Sequence, residues 1–208
     1  MDAEANDDER RIRTLGRITA FTDAAIAIAL TLLVLPLVSV ADRSTADQSV
    51  IELLVHHRGD ILAFLVSFLV IAQFWRSHRR LYEQLVDYDE TLLWLNTCWL
   101  LMVVFLPFPT ARLFVESRLR TDSAVLYLGT MLVISLLALA QAYWVNRRPA
   151  LRGEALRASR HALLPETAMP AIFAVATLVG SVSPAAGLLL LITLPLAPKV
   201  IRAVLRHR

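Results

Sequence analysis

Two charged side chains, those of Arg17 and Asp23, open an otherwise apolar segment that continues to Leu37. An apolar helix of this length is about as long as a lipid bilayer is thick. Charge at the mouth of a membrane-spanning helix is costly in hydrocarbon, so it is retained where other protein groups satisfy it. The pattern therefore predicts that this helix does more than anchor the chain.

Candidate hydrogen-bond donors to Asp23 occur in two later segments. Trp75 and His78 lie three residues apart near one end of a second apolar segment. Asn96 and Trp99 have the same spacing in a third. Residues three apart share one side of a helix, so each pair could reach the carboxylate together. We interpret Asp23 as a carboxylate locked by such donors, with a proton-relay role as the alternative.

An apolar stripe follows one face of the first helix. Its members recur at spacings of three, four and seven residues: Phe21, Ala24, Ile28, Thr31, Leu32 and Leu35. Asp23 lies about 140° round the helix from Ile28 and points away from the stripe. Arg17, four residues before Phe21, shares its face. Taken alone, such a stripe is typical of helix packing or lipid contact.

The composition is that of a polytopic membrane protein. Hydrophobic residues make up 57% of the 208 residues, and the mean hydropathy is +0.57. Six apolar segments are long enough to cross a bilayer as helices: 18–40, 60–77, 91–113, 122–145, 165–182 and 184–202. They lack the alternation of strands. The predicted fold class is therefore an all-α polytopic membrane protein with six transmembrane helices.

The basic residues indicate the topology. With six spans both termini share one side of the membrane, and that side carries 16 of the 21 Lys and Arg residues. Such an excess marks the cytoplasmic side, which predicts a multi-pass protein of the cell membrane with both termini in the cytoplasm. The predicted domains are cytoplasmic tails at 1–16 and 204–208 around a transmembrane domain at 17–203. Because this asymmetry accounts for the pI of about 9.5, we predict no nucleic-acid partner.

Motifs for catalysis and metal binding are missing from the sequence. It contains no HExxH, no glycine-rich phosphate loop and no pair of carboxylates within a span. His56 and His57 are adjacent and point apart, which makes a poor metal site. The lone Cys98 is expected to act as a small apolar group. The sequence therefore predicts that the protein is not an enzyme and has no metal site or cofactor.

Prolines interrupt the predicted helices. Pro36 lacks the amide hydrogen that would reach the carbonyl of Leu32, and Pro107 lies late in the third span and should kink it. Pro184 stands where the last span begins, with Ser183 as a candidate cap, so the last two spans should form a tight hairpin. The bends are explained either by packing or by a gating hinge.

The segment RITAFTD, from Arg17 to Asp23, resembles the R-x-x-x-F-S-D signature of the transmembrane-protein-175 family of potassium channels. The continuation AIAIALTLLVL is similar to the first helix of that family. SFLVIAQFWRSH (67–78) and LNTCWLLMVVFLPFPT (95–110) resemble its second and third helices, in the same order. Thr22 replaces the usual serine and keeps the hydroxyl. The last three predicted spans match only in apolar character and number.

The resemblance implies a six-helix subunit, four of which form a homotetramer around a central pore lined by the first helix. The family's pore constriction carries over to Ile28, Leu32 and Leu35, and its pore-facing threonine to Thr31. Its interhelical lock carries over to these residues: Arg17, Phe21, Thr22 and Asp23, with Trp75, His78 and Asn96 as partners. The implied constriction therefore coincides with the stripe found from spacing.

The predicted function is passive, leak-type conduction of potassium through a hydrophobic constriction. Rings of apolar side chains can close a pore by dewetting it, so opening requires the first helices to dilate or rotate. Because the sequence has no TVGYG-like filter, we expect weak to moderate selectivity. Expected partners are other copies of the chain, membrane lipids and permeant potassium ions. The alternatives are a proton- or ion-coupled transporter and a non-conducting membrane scaffold.

Overall fold

The computed structural model describes residues 2–42, 49–115, 118–153 and 164–193. Before residue 112 it has six helices: α1 (Asp2–Leu32), α2 (Leu35–Asp42), α3 (Val50–His56), α4 (Arg58–Tyr82), α5 (Glu90–Phe105) and α6 (Pro107–Ala111). Then follow two short strands, three helices and two 3₁₀ turns: β1 (Phe114–Val115), β2 (Arg118–Leu119), α7 (Thr121–Arg147), Pro149–Leu151, α8 (Leu164–Val182), α9 (Pro184–Leu189) and Leu190–Thr193.

Four described stretches are long and apolar enough to cross a membrane: Arg13–Ser39, Arg58–Tyr82, Glu90–Ala111 and Thr121–Arg147. They correspond to the first four predicted spans. A shorter apolar helix, Met169–Val182, falls within the fifth. The sixth is described only at its start, because residues 194–202 and the predicted tail at 204–208 lie outside the described residues.

α1 extends beyond the first span at its N-terminal end. α1 begins at Asp2, so most of the predicted tail at 1–16 continues the helix. This stretch contains no proline, and its acidic residues suit a helix N-terminus. Nη1 of Arg11 donates to Oδ2 of Asp87 at 2.6 Å, which joins the extension to the loop between α4 and α5.

A two-stranded antiparallel hairpin, β1–β2, connects α6 to α7. Hydrophobic periodicity did not predict it, because a strand of two residues is too short to show alternation. The hairpin lies between two apolar stretches, so the membrane-spanning part of the described chain remains helical.

Prolines accompany a break in two of the spans. The first helix ends at Leu32, and the amides of Leu37 and Val38 both donate to the carbonyl of Val34, at 2.9 and 3.1 Å. Pro36 supplies no donor at this turn. The third span breaks at Leu106, directly before Pro107, which occupies the first turn of α6 where a missing amide hydrogen costs nothing.

α7 lies at the centre of the packing, against α5 on one side and α8 on another. Its buried face repeats every three or four residues through Ala124, Tyr127, Leu128, Met131 and Ile134. Many large apolar side chains of the described helices are exposed, as expected for helices that cross a membrane.

α8 and α9 form the predicted hairpin through a contact between two glycines. A Cβ on Gly187 would lie 2.6 Å from Cα of Gly180 and 2.7 Å from the carbonyl oxygen of Ala176. Pro184 occupies the first turn of α9. Ser183 stands at the cap position without a side-chain bond to the helix, so the prediction that it caps this helix is wrong in that respect.

Candidate functional site

From Arg17 onward α1 has one buried and one exposed face. The buried face consists of Thr22, Ile26 and Ala29 and continues, just past the end of the helix, with Leu33. The exposed face consists of Arg17, Phe21, Ala24, Ile28, Thr31, Leu32 and, across the break, Leu35. Phe21 is 68% exposed and Ile28 59%. This face lies on a membrane-spanning stretch, and the described part of the chain leaves it uncovered.

The four residues predicted to line a pore all lie on the exposed face. They are Ile28, Thr31, Leu32 and Leu35. Oγ1 of Thr31 donates to the carbonyl oxygen of Ile28 at 2.7 Å, within the helix. From Phe21 onward the face is thus apolar except for one hydroxyl group whose hydrogen already has an acceptor.

Thr22 connects the buried face of α1 to α5 and α4. Nδ2 of Asn96 donates to Oγ1 of Thr22 at 3.1 Å. Oδ1 of the same amide lies 2.8 Å from Nε2 of His78. Since Thr22 is fully buried and the other two side chains are 4% exposed, these bonds form where water does not compete.

Asp23 makes a second connection from α1 to α4. Nε1 of Trp75 donates to Oδ1 of Asp23 at 2.8 Å, and both side chains are half-buried. A hydrogen bond to an ionised acceptor is roughly twice as strong as one between neutral groups. The structure therefore places five of the seven predicted lock residues in contact: Thr22, Asp23, Trp75, His78 and Asn96.

The other two predicted lock residues point outward. Arg17 and Phe21 are exposed, and Arg17 forms no ion pair with any residue in the described part of the chain.

Trp99, considered above as a donor to Asp23, does not reach it: its Nε1 has no hydrogen-bond partner among the described residues. Its ring instead stacks on that of His78, with centroids 4.5 Å apart.

Tyr82 and Gln141 extend the site beyond the predicted residues. Tyr82 stacks on the other side of His78 at 4.1 Å. Its hydroxyl donates to Oε1 of Gln141 on α7 at 2.9 Å. Two signals were available in the sequence: Tyr82 follows His78 by four residues on the same helix, and Gln141 is polar within a predicted span.

A second polar cluster lies in the interior, away from α1. Oγ of Ser67 is 3.0 Å from Oγ1 of Thr110 and 2.9 Å from the hydroxyl of Tyr127. It joins α4, α6 and α7, and all three side chains are buried. The only sequence signal for it was that Ser67, Thr110 and Tyr127 are polar residues within predicted spans.

Metal ligands do not cluster in the described part of the chain, where no group of three or more His, Cys, Asp or Glu side chains comes together. His56 and His57 are in edge contact, and Nδ1 of His57 lies 3.1 Å from Oδ2 of Asp60. Cys98 is a free thiol on an exposed surface. Within this region the chemistry of the site is therefore that of hydrogen bonds and apolar contacts.

Comparison with protein families finds a match over residues 17–107 to the family described as endosomal/lysosomal potassium channel TMEM175. A potassium channel of Chamaesiphon minutus is 33% identical over 149 residues, which cover 70% of this chain and 72% of the relative. The endosomal/lysosomal proton channel TMEM175 of Homo sapiens is 31% identical over 94 residues, 44% of this chain and 18% of the relative.

Among solved structures, the chain resembles that of a lysosomal potassium-selective channel TMEM175 homologue from Chamaesiphon minutus. The TM-score is 0.68 at 26% sequence identity, and the alignment covers 93% of this chain and 98% of the other. The similarity extends well beyond residues 17–107, so it includes the second half of the chain.

Proposed function

Because the chain belongs to the TMEM175 family of potassium channels, we propose that it conducts potassium passively through a pore lined by the exposed face of α1. Potassium is the permeant ion, and no cofactor takes part. We place the protein in the cell membrane as a multi-pass protein with both termini in the cytoplasm.

One observation carries the proposal. α1 is packed into its own subunit by one face, while the opposite face presents Ile28, Leu32 and Leu35 outward. A single helix face cannot enclose a channel. A closed ring of subunits can do so, because rotation about a common axis brings the same face of each copy to the centre.

We propose four copies of a six-span subunit, the number that the family resemblance implies. In such a ring Ile28, Leu32 and Leu35 form apolar constrictions at successive levels, and Thr31 supplies a ring of hydroxyls between them. Constrictions of this kind close a pore by dewetting and conduct when the helices move apart or rotate. Arg17 and Phe21, which are exposed in the isolated subunit, would contact neighbouring subunits.

The hydrogen bonds of Thr22 and Asp23 support this orientation of α1. They hold α1 against α4 and α5 on the side away from the proposed axis. We therefore assign Asp23 to a structural lock with Trp75. A proton- or ion-coupled transporter would need ionisable groups near the middle of the membrane. Asp23 already accepts a hydrogen bond from Trp75, which supports the structural lock, so this alternative is not favoured.

Ion flux into liposomes tests the proposal. Purified protein in vesicles with a potassium gradient should give a potassium-dependent flux, with valinomycin marking the maximum. Because an animal relative is named a proton channel, a parallel pH-dye measurement should be made with and without a protonophore. A flux that needs a second co-transported ion would indicate a transporter, and none at all would indicate a scaffold.

Native mass spectrometry in mild detergent tests the assembly separately. We expect a species of four subunits, each of 23.2 kDa. A monomer that still conducts potassium would contradict the α1 pore, because one subunit has only one such face.

A further inference from the structure

The last residues of α7 form two contacts between an arginine and an aromatic ring. The guanidinium carbon of Arg147 lies 4.5 Å from the ring centroid of Tyr143, and that of Arg148 lies 4.7 Å from the ring centroid of Trp144. The members of each pair are four residues apart, the spacing at which side chains of one helix meet. Both arginines are exposed. The end of this membrane-spanning stretch therefore presents two positive charges over aromatic rings.

The ring beneath Arg148 is held in place by the loop between α4 and α5. Nε1 of Trp144 donates to Oδ2 of Asp89 at 2.9 Å and to Oδ1 at 3.1 Å. Oδ1 of Asp89 also accepts from the amide of Leu92 at 2.8 Å. The indole ring is thus a fixed support, and the carboxylate that contacts it already has its own donors.

The two guanidinium groups keep donors for a further group. Neither forms a hydrogen bond or an ion pair with a residue in the described part of the chain. A guanidinium that contacts a ring through its face retains N–H groups at its edge, and these match two oxygens of a phosphate. Arg79 differs: it lies 5.6 Å from the ring centroid of Trp75, but its Nε donates to Glu83 at 2.7 Å.

An exposed apolar stripe on α7 leads to Arg147 from within the span. Its members follow one another at spacings of seven, three and seven residues: Leu126, Val133, Leu136 and Tyr143. Arg147 lies about one turn beyond Tyr143. Side chains at these spacings share one side of a helix. A lipid acyl chain on this stripe would have its headgroup at Arg147, at the level where aromatic rings are enriched in membrane proteins.

The sequence after the span adds positive charge at the same end. Residues 147–160 contain five arginines and one acidic residue, Glu154. Clusters of basic residues directly after a membrane span on the cytoplasmic side are typical of segments that bind anionic lipids. This end of α7 is on the side that we place in the cytoplasm.

We propose that Arg147 and Arg148 bind the phosphate group of an anionic phospholipid in the leaflet at this end of α7. The stripe on α7 contacts its acyl chain. A zwitterionic phospholipid also carries a phosphate, but its ammonium group cancels the charge that the two arginines attract. Free phosphate has no acyl chain to contact the stripe. The proposal does not depend on ion conduction.

Native mass spectrometry of the full chain in mild detergent tests this site. Dioleoyl phosphatidylglycerol and dioleoyl phosphatidylcholine, which differ only in the headgroup, are added to separate samples. We expect the unmodified protein to retain severalfold more phosphatidylglycerol. Changing Arg147→Gln and Arg148→Gln together should weaken this retention by about fivefold for each arginine, the effect of one basic residue near an anionic lipid surface.

Arg79→Gln is the matched control. Arg79 also contacts an aromatic ring four residues before it, but its guanidinium is paired with Glu83. This variant should retain phosphatidylglycerol as the unmodified protein does. Equal retention of the two lipids by the unmodified protein would overturn the proposal, as would equal retention of phosphatidylglycerol by the double variant and by Arg79→Gln.

Two further measurements exclude other occupants of the site. Phosphatidylglycerol should raise the melting temperature of the unmodified protein more than that of the double variant, because a ligand stabilises the folded state that binds it. Excess inorganic phosphate should not displace the lipid, and displacement would reject a lipid site in favour of a site for free phosphate. Loss of subunit association in the double variant with lipid retention unchanged would identify a contact between copies and reject the proposal.

Discussion

The two halves of the apolar part of α1 are held in different ways. Residues 17–23 are fixed by hydrogen bonds, from Asn96 to Thr22 and from Trp75 to Asp23. Residues 24–32 are held by packing, with Ile26 and Ala29 buried against the core, and end at a break. Hydrogen bonds are directional and fix the rotation of a helix, whereas apolar packing tolerates small shifts. Movement in the proposed pore is therefore expected in the second half.

The largest effect should follow the loss of Asn96, because two polar groups then lose their partner. In Asn96→Leu the hydroxyl of Thr22 and Nε2 of His78 stay buried, each at a cost of about 1–3 kcal/mol. We expect a lower melting temperature by several degrees and a poor yield of assembled protein, measured by fluorescence-detected unfolding in detergent. Thr97→Val, next to it on the exposed surface, is the control. Equal stability of the two variants would contradict the role of the network.

A smaller effect is expected from Asp23→Asn. The amide oxygen still accepts from Trp75, but the bond loses its charge-assisted part, which is worth about 1–2 kcal/mol. Assembly measured by size-exclusion chromatography should fall while the potassium-to-sodium ratio stays unchanged. Normal assembly with a selective loss of the pH response would instead support the proton-relay interpretation of Asp23.

In the second half, polar substitutions should change conduction more than stability. Ile28→Asn in the proposed tetramer places four amides in one constriction and wets it, so we expect potassium flux to rise severalfold. Leu101→Asn is the matched control, since Leu101 is similarly exposed on α5. Ile26 and Leu33 also lie off the stripe, but they are unsuitable as controls because both are buried in the core. Equal flux in the two variants would mean that this face of α1 contacts lipid.

Thr31→Val should have a smaller effect, confined to ion preference. It keeps the volume of the side chain and removes the hydroxyl, so the potassium-to-sodium ratio from reversal potentials should fall while the protein folds normally. Thr19→Val is a control on the same helix, because Thr19 also donates to a backbone carbonyl but lies on the turn before Asp23. An unchanged ratio in Thr31→Val would exclude this hydroxyl from selectivity.

The smallest effect is expected from loss of the ion pair in the N-terminal extension of α1. The ion pair of Arg11 with Asp87 involves an arginine side chain that is 56% exposed, and exposed pairs contribute only about 0–1 kcal/mol. Arg11→Ala should leave unfolding temperature and flux nearly unchanged. A large loss of either would show that the extension of α1 takes part in positioning the helix.

The sequence predicted those features of the fold that follow from hydrophobic periodicity and from the properties of proline. The first four spans and the family are confirmed, and the third span is interrupted at Pro107 as predicted. The helical extension back to Asp2 was not predicted, because its acidic sequence has no apolar stripe to indicate a helix. The short β hairpin was not predicted because a strand of two residues is too short to show the alternation of apolar and polar residues.

The candidate site was predictable only in part. Residues within one helix, such as Trp75 and His78, could be grouped by spacing. The contact of Tyr82 with Gln141 joins residues 59 apart, and no spacing rule reports which helices become neighbours. For the same reason the sequence could not distinguish Asn96, which bonds to Thr22, from Trp99, which stacks on His78.

The hydrogen bond from Thr31 to Ile28 within α1 determines which sign of ion the hydroxyl group can bind. Because the hydroxyl hydrogen is directed to the carbonyl of Ile28, the part of the group left for a permeant ion is its oxygen lone pairs. In the proposed tetramer, four such oxygens would surround the axis with no competing hydrogen turned toward it. Chloride would find no donor at this level, while a partly dehydrated cation would find four acceptors. A ring of this kind would therefore select against anions before it discriminates between one cation and another.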